Sequence, residues 1–310
     1  MGGKILIVGS LNMDMTISMK RMPQKGETVM GKSLSYIPGG KGANQACASG
    51  KLGGRTTMLG CVGKDSFGKQ QLENLKKSNI EISNINEIET EPTGTAVIYV
   101  EDEGDNSIVV VAGANSCCDK DYLIKHDFLF YSHDYFVFQM EIPYEAVYYG
   151  ISRAKELGKT TILNPAPAPD QIPDKILEKI DYLTPNETEL IKLSGFSSVS
   201  EETIRKGARV LMSRGVKNVL VTLGDKGVLL VNQNTEKIFP ARKVQAIDTT
   251  AAGDCFNGAF VVALAEGRKL EDAISFANLA SSIALTRKGA QSSIPDRKEV
   301  EALIYKAAIY

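Results

Sequence analysis

The sequence predicts an α/β fold: a mostly parallel central sheet with helices on both faces, plus a small β-sheet lid. Short apolar runs bounded by Gly, Asn, Asp or Pro recur along the chain, and amphipathic helical stretches fill most of the gaps between them. Two hairpin-like regions break that rhythm. With 310 residues, 43% of them hydrophobic, the chain can bury a sizeable core.

The expected strands are Ile5–Val8, Thr57–Cys61, Tyr135–Gln139, Thr161–Leu163, Tyr182–Thr184, Val219–Thr222 and Val228–Val231. Their near-continuous apolar character suits strands covered on both faces. The expected helices include Gln45–Leu52, Gly68–Ser78, Pro143–Leu157, Ser200–Arg214 and Gly253–Glu266. Met15–Met19 with Ser33–Ile37, and Thr95–Val100 with Ile108–Val111, read as hairpins, the second pair flanking the polar loop Glu101–Asn106. Hairpins fit poorly into a parallel sheet, so they are expected to form a separate small sheet. Residues 1–310 then form a single α/β domain, with lid strands inserted at about 13–38 and 94–112. The lid's apolar face needs cover from a cleft or from a second subunit.

Thirty-six basic residues against 37 acidic ones give a formal net charge of -1, without the excess that a nucleic-acid surface needs. A small-molecule partner is the better expectation. The five cysteines, Cys47, Cys61, Cys117, Cys118 and Cys255, show no zinc-type spacing and suggest free thiols in a reducing cytoplasm. Ile5–Val8 is too short for a signal core or a membrane span, and Gly2 lacks the Ser or Thr that myristoylation wants, holding Leu6 there. His126 and His133 have no acid or cysteine pattern around them that suggests a triad or a metal.

Gly26–Ser33 matches the P-loop pattern G-x-x-x-x-G-K-[ST], but its context rejects it. A P-loop follows a buried strand and opens a helix at its Lys. Here polar Lys20–Lys25 precedes, and Leu34–Pro38 alternates and then meets a proline. A turn between two lid strands is the reading that fits.

Gly39-Gly-Lys-Gly-Ala-Asn44 enters a helix, and reads equally as a tight turn or as a ligand loop with Lys41 and Asn44 as donors. In Thr184-Pro-Asn-Glu-Thr-Glu189, Asn186 and Glu189 make either a capping box or a site facing hydrated Mg²⁺ at the carboxyl edge of the sheet. Thr222-Leu-Gly-Asp-Lys-Gly227 is a hairpin turn or a phosphate-facing loop. Asp248-Thr-Thr-Ala-Ala-Gly-Asp254-Cys-Phe-Asn-Gly258 is more pointed. Ala251, Ala252 and Gly253 are nearly bare of side chain, so their amides can crowd a transferred phosphoryl group as an anion hole. Asp254 beside them is placed to take a proton from an attacking hydroxyl. A helix-start acid alone would explain the Asp but not the run of small residues. Cys255 is expected to be a small buried residue.

In order and spacing across nearly the whole chain, Gly9-Ser-Leu-Asn-Met-Asp14, Gly39–Asn44, Thr184–Glu189, Thr222–Gly227 and Asp248–Gly258 resemble the ribokinase-like family of carbohydrate kinases. Asn12, Asp14, Glu141, Asn164-Pro-Ala-Pro-Ala168 and Thr286-Arg-Lys-Gly-Ala-Gln291 sharpen the resemblance. It implies ATP-dependent phosphorylation of D-ribose at its 5-hydroxyl, with Mg²⁺ on the phosphates and a stimulating monovalent cation, normally K⁺. It implies that Asn12, Asp14, Gly40, Lys41, Gly42, Ala43, Asn44 and Glu141 hold the sugar, with Asp254 as base. The nucleotide would lie against Asn186, Glu189, Thr222, Leu223, Gly224, Asp225, Lys226, Gly227, Gly253 and Asn278. Asp248, Thr250, Ala284, Arg287, Gly289 and Ser293 would surround the monovalent cation, several through carbonyls. The hairpins would become a lid that closes over the sugar, excludes water and pairs two subunits into a homodimer. Thr250 and Cys255 depart slightly from the family pattern. The alternatives are a kinase of the same family for deoxyribose or fructose, and a sugar sensor that has lost the chemistry.

Overall fold

The structure, a computed structural model, describes residues 2–103 and 105–309; Gly104, in the expected Glu101–Asn106 loop, lies outside them. Its centre is an 8-stranded sheet in the spatial order Glu236–Phe239, Val228–Asn232, Asn218–Thr222, Tyr182–Leu183, Thr160–Leu163, Tyr135–Phe138, Lys4–Val8, Arg55–Leu59. Every neighbouring pair from Asn218–Thr222 to Arg55–Leu59 is parallel, and the two strands beyond Asn218–Thr222 are antiparallel.

Alternation along each strand feeds two cores. Ile5, Ile7, Val137 and Leu220 point to one face, packed by the helices Lys41–Lys51, Ala252–Ala265 and Leu270–Ala284. Leu6, Val8, Phe136, Phe138, Val219 and Val221 point to the other, packed by Tyr144–Glu156, Glu187–Ser194 and Glu201–Ser213. Ile5 to Val8 are fully buried, each side chain contributing roughly 1.5–3 kcal/mol, which is why this run carries no polar residue. Helix starts are chemically marked. Asp65 accepts from the Gly68 amide at 2.8 Å, and Ser200 with Thr203 forms a reciprocal cap.

The hairpin regions form a 4-stranded sheet in the order Gly31–Gly39, Asn12–Met19, Gly94–Val100, Asn106–Val111. Its outer pairs are antiparallel, whereas Asn12–Met19 and Gly94–Val100, far apart in the chain, run parallel at its centre. Met30 is 88% exposed, and Ile108, Val109, Val110 and Val111 are each at least half exposed.

One expected strand is divided. Thr57–Cys61 is not one strand: Arg55–Leu59 stays in the central sheet, while Cys61–Gly63 turns away to pair with Asn86–Ile88. Lys32 opens no helix; it lies in the strand Gly31–Gly39 with its ammonium 2.5 Å from Asp102, in keeping with rejection of the P-loop match. Glu236–Phe239 and Arg297–Ile309 complete the fold without a strong periodic signal in the sequence. No helix is long and apolar enough to cross a membrane among the described residues.

Candidate active site

The chain leaves the strand Lys4–Val8 toward one edge of the sheet and later crosses back to place Tyr135–Phe138 on its other side. Loops after these two strands diverge there, and such a switch point opens a crevice at the carboxyl ends. Residues from both loops meet in it. Ser10 Oγ donates to Glu141 Oε2 at 2.6 Å, and the Lys41 amide donates to the same oxygen at 3.0 Å.

The helix Lys41–Lys51 begins hard against this crevice. Gly40 caps it at φ 88, and a side chain on Gly42 would sit 2.6 Å from the backbone of Gly9 and Ser10. Glycine here serves close packing of backbone on backbone. The close fit delivers Asn44 and Gln45 to the start of the helix Ala252–Ala265, where Asn44 Nδ2 donates to Asp254 Oδ2 and Gln45 Nε2 to Asp254 Oδ1, both at 2.9 Å.

Asp254 is buried, which pushes its carboxyl above the usual range; the Lys41 charge and the Gln45 and Asn44 donors pull it back, and Glu141 adds to the rise. For Lys41, burial works to lower its pKa, but the charges of Asp254, Glu141, Glu189 and Asp14 outweigh it and the net shift is upward. Lys41 therefore stays a cation among carboxylates. Asp14 is pushed up to about 7, first by burial, then by Glu141 and Asp254, with Lys41 opposing.

Around Asp254 lies a cavity of about 210 Å³ whose lining includes Lys41, Asn164, Asn186, Glu189, Thr222 and Gly253. Ala251, just before the helix, has φ 58, a left-handed backbone that costs a non-glycine residue of order 1–3 kcal/mol. This turn brings Ala251, Ala252 and Gly253 to the cavity wall. The Ala252 amide also makes a long 3.3 Å bond to the Thr249 carbonyl, while among the described residues no backbone carbonyl takes the Ala251 or Gly253 amide.

Asn186 and Glu189 form the reciprocal cap of the helix Glu187–Ser194, at 2.8 and 2.9 Å, and still line the cavity. The capping and functional readings are thus compatible. One Glu189 oxygen remains for a hydrated divalent ion, which asks for only one or two carboxylates beside phosphates. Thr222–Gly227 is a hairpin turn, with Gly224 at φ 59 and Gly227 at φ 99. Asn278 does not line the cavity; its amide donates to the Phe239 carbonyl at 3.0 Å, beside Gly227.

Three of the expected cation residues, Asp248, Thr250 and Gly289, form a knot of their own. Asp248 accepts from the Thr250 and Gly289 amides, each at 2.9 Å, tying the two loops together. Burial works to raise the Asp248 pKa; the Thr250 hydroxyl and these amides outweigh it, and the carboxyl stays below its ordinary range. Arg287 turns its guanidinium to Glu299 and can offer the knot only its carbonyl. Among the described residues no cluster of three or more His, Cys, Asp or Glu side chains could hold a metal ion.

Other candidates take plain structural roles. His133 bonds Thr57 and the Leu129 carbonyl, and His126 the Tyr122 carbonyl. All five cysteines are free, and burial pushes the Cys255 thiol up, away from any nucleophilic use.

An acid at the foot of a bare-walled helix start, facing a crevice lined by amides and a lysine, is an arrangement that suits transfer of a phosphoryl group to an alcohol. Residues 3–297 match the pfkB family carbohydrate kinases, and the chain belongs to that family. It is therefore an ATP-dependent carbohydrate kinase. It is 40% identical over 295 residues to the ribokinase of Haemophilus influenzae, with 95% of this chain and 96% of that one covered. To the deoxyribokinase of Salmonella typhi it is 35% identical over 291 residues, covering 94% and 95%. The structure of Arabidopsis thaliana ribokinase complexed with ribose and ATP superposes with a TM-score of 0.91 at 35% identity, covering 98% of this chain and 99% of that one. The mostly parallel sheet with helices on both faces and a small second sheet is the ribokinase-like fold.

Sequence reading left several neighbours of the base without a role. Gln45, Gln139 and Asn164 form a buried amide chain behind Asp254, and Asn115 bonds Asn12 Oδ1 at 2.7 Å. Gln45 follows directly on Asn44, but an amide in a helix start carries no chemical pattern until the helix Ala252–Ala265 is laid beside it.

Proposed function

We propose that this enzyme transfers the γ-phosphoryl group of ATP to the 5-hydroxyl of D-ribose, giving D-ribose 5-phosphate and ADP. The carrying observation is the placement of Asp254: buried, held by Asn44 and Gln45, and beside the Ala251–Gly253 turn. Asp254 takes the hydroxyl proton as that oxygen attacks, and the bare amides face the phosphoryl oxygens. Asn12, Asp14, Lys41, Asn44 and Glu141 orient the sugar, with Gly40, Gly42 and Ala43 shaping the turn that carries them. Asn186, Glu189 and Thr222–Gly227 receive the nucleotide, with Asn278 bracing the turn. Mg²⁺ beside Asn186 and Glu189 would offset phosphate charge; K⁺ would fit Asp248, Thr250, Ala284, Arg287, Gly289 and Ser293. The free cysteines favour a cytoplasmic setting.

The test is ATP consumption with Mg²⁺ and K⁺ present, comparing D-ribose, 2-deoxyribose, fructose, adenosine and no acceptor. Selective turnover of ribose is expected. Turnover of 2-deoxyribose alone would shift the assignment to the second reading, which the likeness to a deoxyribokinase supports.

Asp14 makes sugar affinity depend on pH. Its carboxyl is raised from 3.8 to about 7, so its ionisation costs the free folded protein stability as pH rises through that window. Sugar hydroxyls donate to the anion, so ribose affinity is expected to rise up to about tenfold between about pH 6 and about pH 8. Calorimetric titration checks it, and Asp14→Asn should abolish the dependence.

The exposed Ile108–Val111 strand supports a homodimer through the lid. Val109→Lys is expected to halve the mass in solution, read by light scattering; a wild-type monomer would remove this proposal.

A further inference from the structure

The carboxylate of Asp254 is anchored by a chain of amides that runs behind it into the core. Gln139 Nε2 donates to Gln45 Oε1 at 2.8 Å, and Gln45 Nε2 in turn donates to Asp254 Oδ1 at 2.9 Å and to Asn164 Oδ1 at 3.2 Å. Asn164 Nδ2 donates onward to the Thr184 carbonyl at 2.9 Å. Gln45 and Gln139 are fully buried and Asn164 is 8% exposed.

An amide can meet a carboxylate with either end, and only one end donates. Gln45 has no choice: turned over, its oxygen would face the oxygens of Asp254 and Asn164, and its NH₂ would face that of Gln139. Gln139 makes one side-chain hydrogen bond, to Gln45. Its Oε1 is buried without a partner and packs against Gly9, where even a methyl group would come within 1.9 Å. A buried polar atom left unpaired is a cost that natural cores seldom carry without a reason. Here it accompanies the one orientation that sends an N–H to the base.

The charges facing Asp254 come from several elements. Lys41 from the helix Lys41–Lys51 favours the anion; Glu141 beyond the strand Tyr135–Phe138, Glu189 from the helix Glu187–Ser194, and Asp14 from the strand Asn12–Met19 oppose it, as does burial. Asn44 covers Oδ2 and Gln45 covers Oδ1.

We propose that Gln45 is a positioning residue for phosphoryl transfer: locked by Gln139, its N–H fixes the plane of the Asp254 carboxylate and holds it as the anion that receives the proton. This rests on the reading of Asp254 as the base. In the step it serves, the hydroxyl O–H breaks and its proton passes to Asp254. The oxygen bonds the γ-phosphorus, and ADP leaves with the electron pair of the broken P–O bond.

Gln45→Met removes the donor at similar volume. The expected result is a kcat about 10–100-fold lower near neutral pH with KM values within about twofold. The acid limb of kcat, and the carbon-13 NMR titration of the Asp254 carboxyl in the free protein, should both move up by about one pH unit or more. Gln139→Met, which does not touch Asp254, should move both the same way by less. A folded Gln45→Met protein with limb and midpoint unmoved overturns the proposal. Should that variant not fold, an unmoved midpoint in Gln139→Met does so. The carboxyl titration needs no substrate, so a wild-type protein that phosphorylates no sugar would defeat the functional reading and with it the catalytic role of Gln45, while the titration would still decide whether Gln45 holds the Asp254 carboxylate as the anion.

Discussion

Asp254→Asn is expected to lower turnover by about 10²–10⁴-fold while ribose binding persists, because a general base contributes about that much. The fold has room for the change. Asn44 Oδ1 is buried without a partner, so rotation of the Asn44 amide would let it accept from the new NH₂ group and relieve the clash of two donors. The variant should therefore melt near the wild-type temperature and lose its effect in kcat rather than in sugar affinity. Measuring kcat beside calorimetric ribose affinity separates the two, and near-normal turnover would remove Asp254 from the role of base. Loss of both together would mean that the carboxylate chiefly holds the sugar.

The second large effect is expected at Gly258, where the helices Lys41–Lys51 and Ala252–Ala265 meet. A methyl group there would lie 2.5 Å from the Ala48 side chain and 2.6 Å from the Gln45 carbonyl, so the helices Lys41–Lys51 and Ala252–Ala265 must part to admit it. Overpacking of this kind costs typically about 1–3 kcal/mol. Gly258→Ala should lower the melting temperature by several degrees, as about 2–4 °C per kcal/mol suits domains of this order. It should also cut kcat about tenfold or more, since the same contact sets the distance from Asn44 and Gln45 to Asp254. Kinetics on the folded fraction test this; an unchanged kcat would uncouple the helix contact from the base.

Much of this was readable in the sequence because it is local. Ile5–Val8 and Tyr135–Phe138 announce buried strands, the small residues 251–253 announce an approach to backbone, and an acid following them stands out. What was not legible depends on chain segments far apart. Gln45 meets Asp254 across 209 positions, and Asn12 meets Asn115 across 103, so neither pair has a spacing to recognise. The division of Thr57–Cys61 was hidden for the same reason: its second half answers to Asn86–Ile88, not to its own apolar run. Asn186 and Glu189 were ambiguous because a cap and a cavity wall ask for the same two residues, and the fold uses them as both.

Asn12 and Asp14 lie on the strand that leaves the body after only Gly9–Leu11 and then becomes the middle of the lid, whereas Asp254 belongs to the body. The residues proposed to hold the sugar and the proposed base thus ride on different parts of the molecule. On the proposed reading, a sugar bridging Asp14 and Asp254 would tie the small sheet to the body by its own contacts, so grip and closure would lie along a single coordinate. Water would make no such bridge, and fidelity against wasting ATP would then come from the leverage of the acceptor.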